Sequence, residues 1–163
     1  MRFKIYDLRL YMSIFPHTVA GAVAGSFFDN PIAGGMAGFV SHLLMDMVPH
    51  WEPDIYDKKN RERKVLMGIL LLIDLSLGIL VLIFVSPNPA AFWGGLVGAA
   101  TDADNFLQMK FKSFPLLSKI GIKTHDYENH GRWHGQISNP VLGMIGPVIV
   151  AFGGLFYLFL KLH

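Results

Sequence analysis

Histidine and aspartate recur in this chain at spacings that metal chemistry uses. His42, Asp46 and His50 stand at i, i+4 and i+8, and on a helix each step of four returns the side chain to the same face. Pro49 is placed to end that helix, which sets His50 at its mouth. Asp102 and Asp104 flank one residue in Asp-Ala-Asp-Asn, and His130 and His134 repeat the i, i+4 spacing in His-Gly-Arg-Trp-His. His17 heads an apolar stretch of its own. Imidazole and carboxylate are the ligands for Zn, Mn or Fe where Cys is absent, and this chain has no Cys. The set suffices for one or two divalent ions, and a two-metal site clamps both oxygens of a phosphoester displacement.

These residues must be positioned by apolar elements. The 163 residues fit one domain. Hydrophobic residues make up 52% without the 17 Gly, and only 16% are charged; a soluble domain of this size carries about 25% charge. Disorder is excluded by the apolar and aromatic content, and a formal net charge of +2 argues against a nucleic-acid partner. The expectation is an integral membrane protein of the inner (plasma) membrane.

Two stretches read as full spans: 65–85, interrupted by Asp74, and 140–160, with Pro147 inside it. Pro31 to Val48 and Pro89 to about Leu107 are apolar and rich in small residues, with His42, Asp46, Asp102 and Asp104 toward their ends. Pro16 to Phe28 is short for a crossing, so it is either a thin helix or a re-entrant one. Asp29-Asn30-Pro31 and Pro87-Asn88-Pro89 are turn signals able to join antiparallel helices. The expected fold is all-α: a polytopic membrane bundle of about five transmembrane or re-entrant helices, in two hairpins plus a C-terminal span. Its segments are an amphipathic arm over 1–15, a hairpin over 16–48, a loop over 49–64, a hairpin over 65–107, a loop over 108–139 and a last helix over 140–161. All Lys and Arg except Lys161 then fall on one side, in the arm and the two loops, which makes that side and the N-terminus cytoplasmic by the positive-inside rule.

The second arms of the two hairpins repeat. Gly34-Gly35-Met-Ala-Gly38 precedes Phe-Val-Ser-His42, and Gly94-Gly95-Leu-Val-Gly98 precedes Ala-Ala-Thr-Asp102. Small residues let membrane helices approach backbone to backbone; a crossing at these glycines would project His42 and Asp102 from equivalent heights. The metal-capable residues all fall near the cytoplasmic boundary in this topology. For each there is a plainer reading, as an interfacial His or an Asp that hydrogen-bonds a neighbouring helix. His42 and Asp46 resist it, because ionisable groups inside apolar helices are costly and usually functional. Asp74, near the middle of its span, is expected to find a buried partner such as Ser41 or Asn105, or to line an ion path.

The stretch from Ser41 through Asp54, with His42-x-x-x-Asp46 inside it, resembles a segment of the bacterial membrane-bound metal-dependent hydrolase family. Asp102-Ala-Asp104 after its glycine-rich helix is similar to the Pro-Asp-x-Asp motif of that family, with Thr101 in place of Pro. His130-Gly-Arg-Trp-His134 loosely resembles its His-Arg-Gly-x-x-His-Ser motif, and the motif order differs. The resemblance implies a small multi-helix membrane protein with a metal site of the hydrolase type.

The expected ligands are His42, Asp46, Asp102 and Asp104, with His17, His50, His130 and His134 next. Asp104 or His134 would act as general base, and Arg132 or Lys123 would hold an anionic phosphate. The expected partners are membrane lipid and a small phosphorylated or lipid-like substrate. The expected function is hydrolysis of a phosphoester or lipid head group at the cytoplasmic face. The alternative is a non-enzymatic protein that binds or transports a divalent metal, and a scaffold without metal is the third class.

Overall fold

The computed structural model describes residues 14–48, 50, 61–101 and 139–162. Among these it forms five helices and no strand: α1 (Ile14–Gly25), α2 (Pro31–Asp46), α3 (Arg61–Val85), α4 (Pro89–Ala100) and α5 (Pro140–Leu162). Three of them open on Asn-Pro. The Asn30 side chain accepts from the Ile32 N–H at 2.8 Å, Asn88 from Ala91 at 2.9 Å, and Asn139 from Val141 at 2.9 Å. Each satisfies a donor that the first turn leaves open, and the proline that follows has no N–H to satisfy.

The boundaries correct the sequence reading at several points. The helix α1 begins at Ile14, two residues inside the stretch read as an arm, with Pro16 in its first turn, where proline is tolerated. Residues 61–64, read as loop, open α3, because Arg, Glu and Lys are good helix formers whatever their polarity. The second hairpin's helix α4 ends at Ala100, with Thr101 as its cap, and residues 102–107 lie outside the described residues. The helices α1 and α4 have 12 residues each and α2 has 16, or ~18 and ~24 Å at 1.5 Å per residue. Among the described residues only α3 and α5 are long and apolar enough to cross a membrane.

Glycine decides the packing. The helix α4 packs mainly on α1 and α2, which also pack on each other. A Cβ added at Gly21 of α1 or Gly38 of α2 would run into the Gly94 carbonyl oxygen, and one at Gly25 or Gly34 into that of Ala90. The two glycine repeats therefore meet each other, as the sequence pattern suggested, and α1 contributes a third small face.

The long helices stand outside this sandwich, each against α1. Gly78 of α3 faces Thr18, Gly154 of α5 faces Val19, and Lys161 near the end of α5 donates to the Ser26 carbonyl at 2.5 Å. These contacts make α1, α3 and α5 parallel, with α2 and α4 running back. Val19, Ala22, Val81, Val85, Ala91 and Leu158 form the small core.

Asp74 has a partner other than those expected. Its two carboxylate oxygens accept from the backbone N–H groups of Ile14, at 2.6 Å, and Phe15, at 3.2 Å. A carboxylate in the middle of α3 thus caps the N-terminus of α1, where open donors and the helix dipole favour negative charge. Ser41 donates to the Gly38 carbonyl of its own helix instead, and Asn105 lies outside the described residues.

Candidate metal centre

The glycine sandwich brings together the start of α1 and the end of α2. His17 lies in the first turn of α1, three residues after the Ile14 N–H that Asp74 holds. His42 and Asp46 lie one turn apart on α2. All three side chains are buried, His42 completely. His17 Nε2 lies 3.7 Å from Asp46 Oδ1, and His42 Nε2 lies 3.4 Å from Asp46 Oδ2. The two imidazoles stand 4.3 Å apart, tilted by 40°.

His42 Nδ1 is 2.7 Å from the Gly98 carbonyl oxygen. A carbonyl only accepts, so Nδ1 carries the proton and donates. In the neutral ring Nε2 then presents a lone pair toward the Asp46 carboxylate. The 3.4 Å separation is that of an ion pair if the imidazole is protonated, and it also suits two ligands of one cation. A charge-assisted hydrogen bond would close to about 2.7–2.9 Å. Two ligands on a tetrahedral metal at about 2.0–2.2 Å stand about 3.4 Å apart. One ligand atom from each of His17, His42 and Asp46 lies within 4.8 Å of the others. The donor set fits a borderline divalent ion: three protein ligands with positions left for water or substrate is the catalytic pattern for zinc, and two His with one carboxylate also suits non-haem iron. The Gly98 bond is the kind of outer contact that aims a metal-binding imidazole.

Of the residues expected from sequence, the structure brings His42, Asp46 and His17 together. His50 is outside it. Its Nδ1 lies 2.8 Å from the Val48 carbonyl oxygen, and its ring helps line a small cavity with Pro16, His17, Met45, Val48 and Pro147. Asp102, Asp104, Lys123, His130, Arg132 and His134 lie outside the described residues. The described chain leading to Asp102 is at the site: Gly98 bonds His42, and Thr101 is buried, with its hydroxyl donating to the Val97 carbonyl. Sequence reasoning missed the Gly98 carbonyl, because a backbone group has no residue signature; its one trace was the shared spacing of Gly38–His42 and Gly98–Asp102.

The sequence reading set the metal-capable residues near the cytoplasmic boundary. Thr18, next to His17, faces Gly78, and Pro147 shares the cavity beside His17. The apolar windows of the long helices cover Gly68–Val85 and Val141–Leu162. Gly78 is ~15 Å and Pro147 ~9 Å from the windows' first residues by helix rise. These residues of α3 and α5 stand beside the start of α1 that carries His17.

Comparison with family models, with curated proteins and with solved structures finds no match for this chain.

Proposed function

We propose that the chain is a multi-pass membrane protein in which His17, His42 and Asp46 bind a catalytic divalent metal ion, and that it hydrolyses a phosphoester or a lipid head-group bond. The observation that carries this reading is the buried donor triad, with His42 Nδ1 committed to Gly98 and its Nε2 aimed at Asp46. Membrane placement is supported by exposure. Only 17% of the α3 window and 22% of the α5 window is buried, whereas the apolar core helix of a soluble protein is mostly covered. Exposed Leu72, Ile73, Leu80 and Ile83 on α3 and Ile149, Phe152 and Phe156 on α5 would face lipid.

A metal held by His17, His42 and Asp46 would lower the pKa of a water and polarise the scissile group. Water oxygen joins phosphorus, the ester oxygen leaves, and the proton released by the water ends on that leaving oxygen. Asp102 and Asp104 are proposed as further ligands, with His130 and His134 behind them. Asp104 or His134 is proposed as the base that carries the proton, and Arg132 as the phosphate anchor. The N-terminus and the two basic loops are proposed to be cytoplasmic.

Metal analysis of the purified protein, followed by assay on phosphomonoester and phospholipid substrates with Zn, Mn or Fe restored, tests the reading. One or two ions per chain with metal-dependent turnover supports it. Metal without turnover leaves the non-enzymatic reading, and no metal in wild type with none regained on reconstitution rejects both.

A further inference from the structure

A long apolar groove adjoins the metal cluster. The helix α5 packs on α1 but makes few contacts with α2, and the gap between them has a volume of about 1120 Å³. Its floor is small residues of α1, Ala20 and Ala24; Val40 and Leu44 of α2 form one wall, and Val150 and Gly153 of α5 the other. Ser41 stands in that lining, and its hydroxyl is turned back to the Gly38 carbonyl. The groove is therefore without polar groups offered to an occupant over most of its length.

The two ends differ. At one end Phe27 stacks on Tyr157 with centroids 5.6 Å apart, and Lys161 lies over the Phe27 ring while donating to Ser26. At the other end Met45 and Val48 line both this groove and the small cavity that contains His17. From Ala33 to Met45 on α2 is ~18 Å by helix rise. That is more than half of a hydrocarbon core of about 30 Å.

We propose that this groove holds one hydrocarbon chain of a lipid, with the polar part to which the chain is joined presented at His17, His42 and Asp46. The proposal rests on the metal-site reading above and narrows its substrate to a lipid. The apolar lining excludes a soluble phosphoester from the groove, and a chain seated in it would point its polar end at the cation. Its other end meets the Phe27–Tyr157–Lys161 cluster.

Gly153 gives a clean means of blocking the groove. A Cβ there meets nothing within 4 Å, so Gly153→Trp fills the groove without a backbone clash. The experiment uses the full chain in phosphatidylcholine nanodiscs doped with a phosphatidic acid that carries a diazirine on one acyl chain. Saturable crosslinks to Met45, Val150 or Tyr157, competed by unlabelled phosphatidic acid, are expected. Ile73 on the lipid-facing side of α3 should give only non-saturable labelling. Gly153→Trp should keep its metal and lower the saturable crosslinks at least tenfold.

Non-saturable labelling everywhere would reduce the groove to a surface wetted by bulk lipid. Protein-to-protein crosslinks across it would assign it to another segment or a second copy. Either result overturns the proposal while metal content stands. Loss of metal from wild type with saturable lipid labelling intact would instead overturn the metal-site reading alone.

Discussion

His42 Nδ1 and the carbonyl oxygen of Gly98 lie 2.7 Å apart across the contact between α2 and α4. The second glycine repeat thereby sets the tautomer of a histidine in the first. Gly38, one turn before His42, is pressed against the Gly94 carbonyl, one turn before Gly98. Backbone approach and the orientation of the His42 imidazole are thus one arrangement, and the first prediction follows from it.

His42→Ala and His17→Ala should each lower bound metal at least tenfold while the helical circular dichroism is kept. Asp29→Ala, at the exposed turn far from the cluster, should retain full metal. Because neutral imidazole and carboxylate are the binding forms, wild type should also release metal on acidification, with protons taken up as it leaves. Inductively coupled plasma analysis after dialysis measures both.

Gly38→Leu should destabilise the fold by about 3 kcal/mol or more, because a side chain there must displace helix α4 backbone. Gly68→Leu is the matched control, since a Cβ at Gly68 meets nothing within 4 Å, and it should be within about 0.5 kcal/mol of wild type. Denaturant unfolding in detergent compares the two. Equal stability would remove the close α2–α4 crossing from the account of the fold.

Asp74→Ala removes the acceptor for the Ile14 and Phe15 N–H groups. A lost cap of this kind costs about 1–2 kcal/mol. The start of α1 carries His17, so metal affinity should fall as well. Asp74→Asn keeps an acceptor and should recover most of the stability. An ion path through Asp74 would instead show wild-type stability in Asp74→Ala and altered ion flux.

Asp102→Ala should release metal as His42→Ala does, because Asp102 follows Gly98 by the same four residues that separate His42 from Gly38. An anomalous-scattering map of crystals grown with Zn or Mn places the ion. An ion held by His17, His42 and Asp46 with the Asp102 carboxylate more than about 10 Å away would exclude Asp102 from the coordination sphere.

Reporter fusions test orientation. Lys59 and Lys119 should report the cytoplasm and His163 the opposite side. The relative direction of the helices already requires that α3 and α5, if both cross, cross the same way. A reporter at His163 on the same side as Lys59 would contradict that packing as well as the topology.

The apolar composition, the Asn-Pro breaks and the glycine spacing were enough to expect helices in hairpins with two small-residue faces in contact, because each of these is local chemistry. Metal-capable spacing on one helix was legible for the same reason: His42 and Asp46 share a face whatever surrounds them. What the sequence could not decide was which side chains meet where the helices pack. It offered Asp74 Ser41 or Asn105 as a partner rather than the start of α1, since no periodicity links residues sixty positions apart. Packing did so. Glycine let α4 approach α1 and α2 closely enough for the Gly98 carbonyl to reach His42, and Asp74 fixed the start of α1 where His17 meets Asp46.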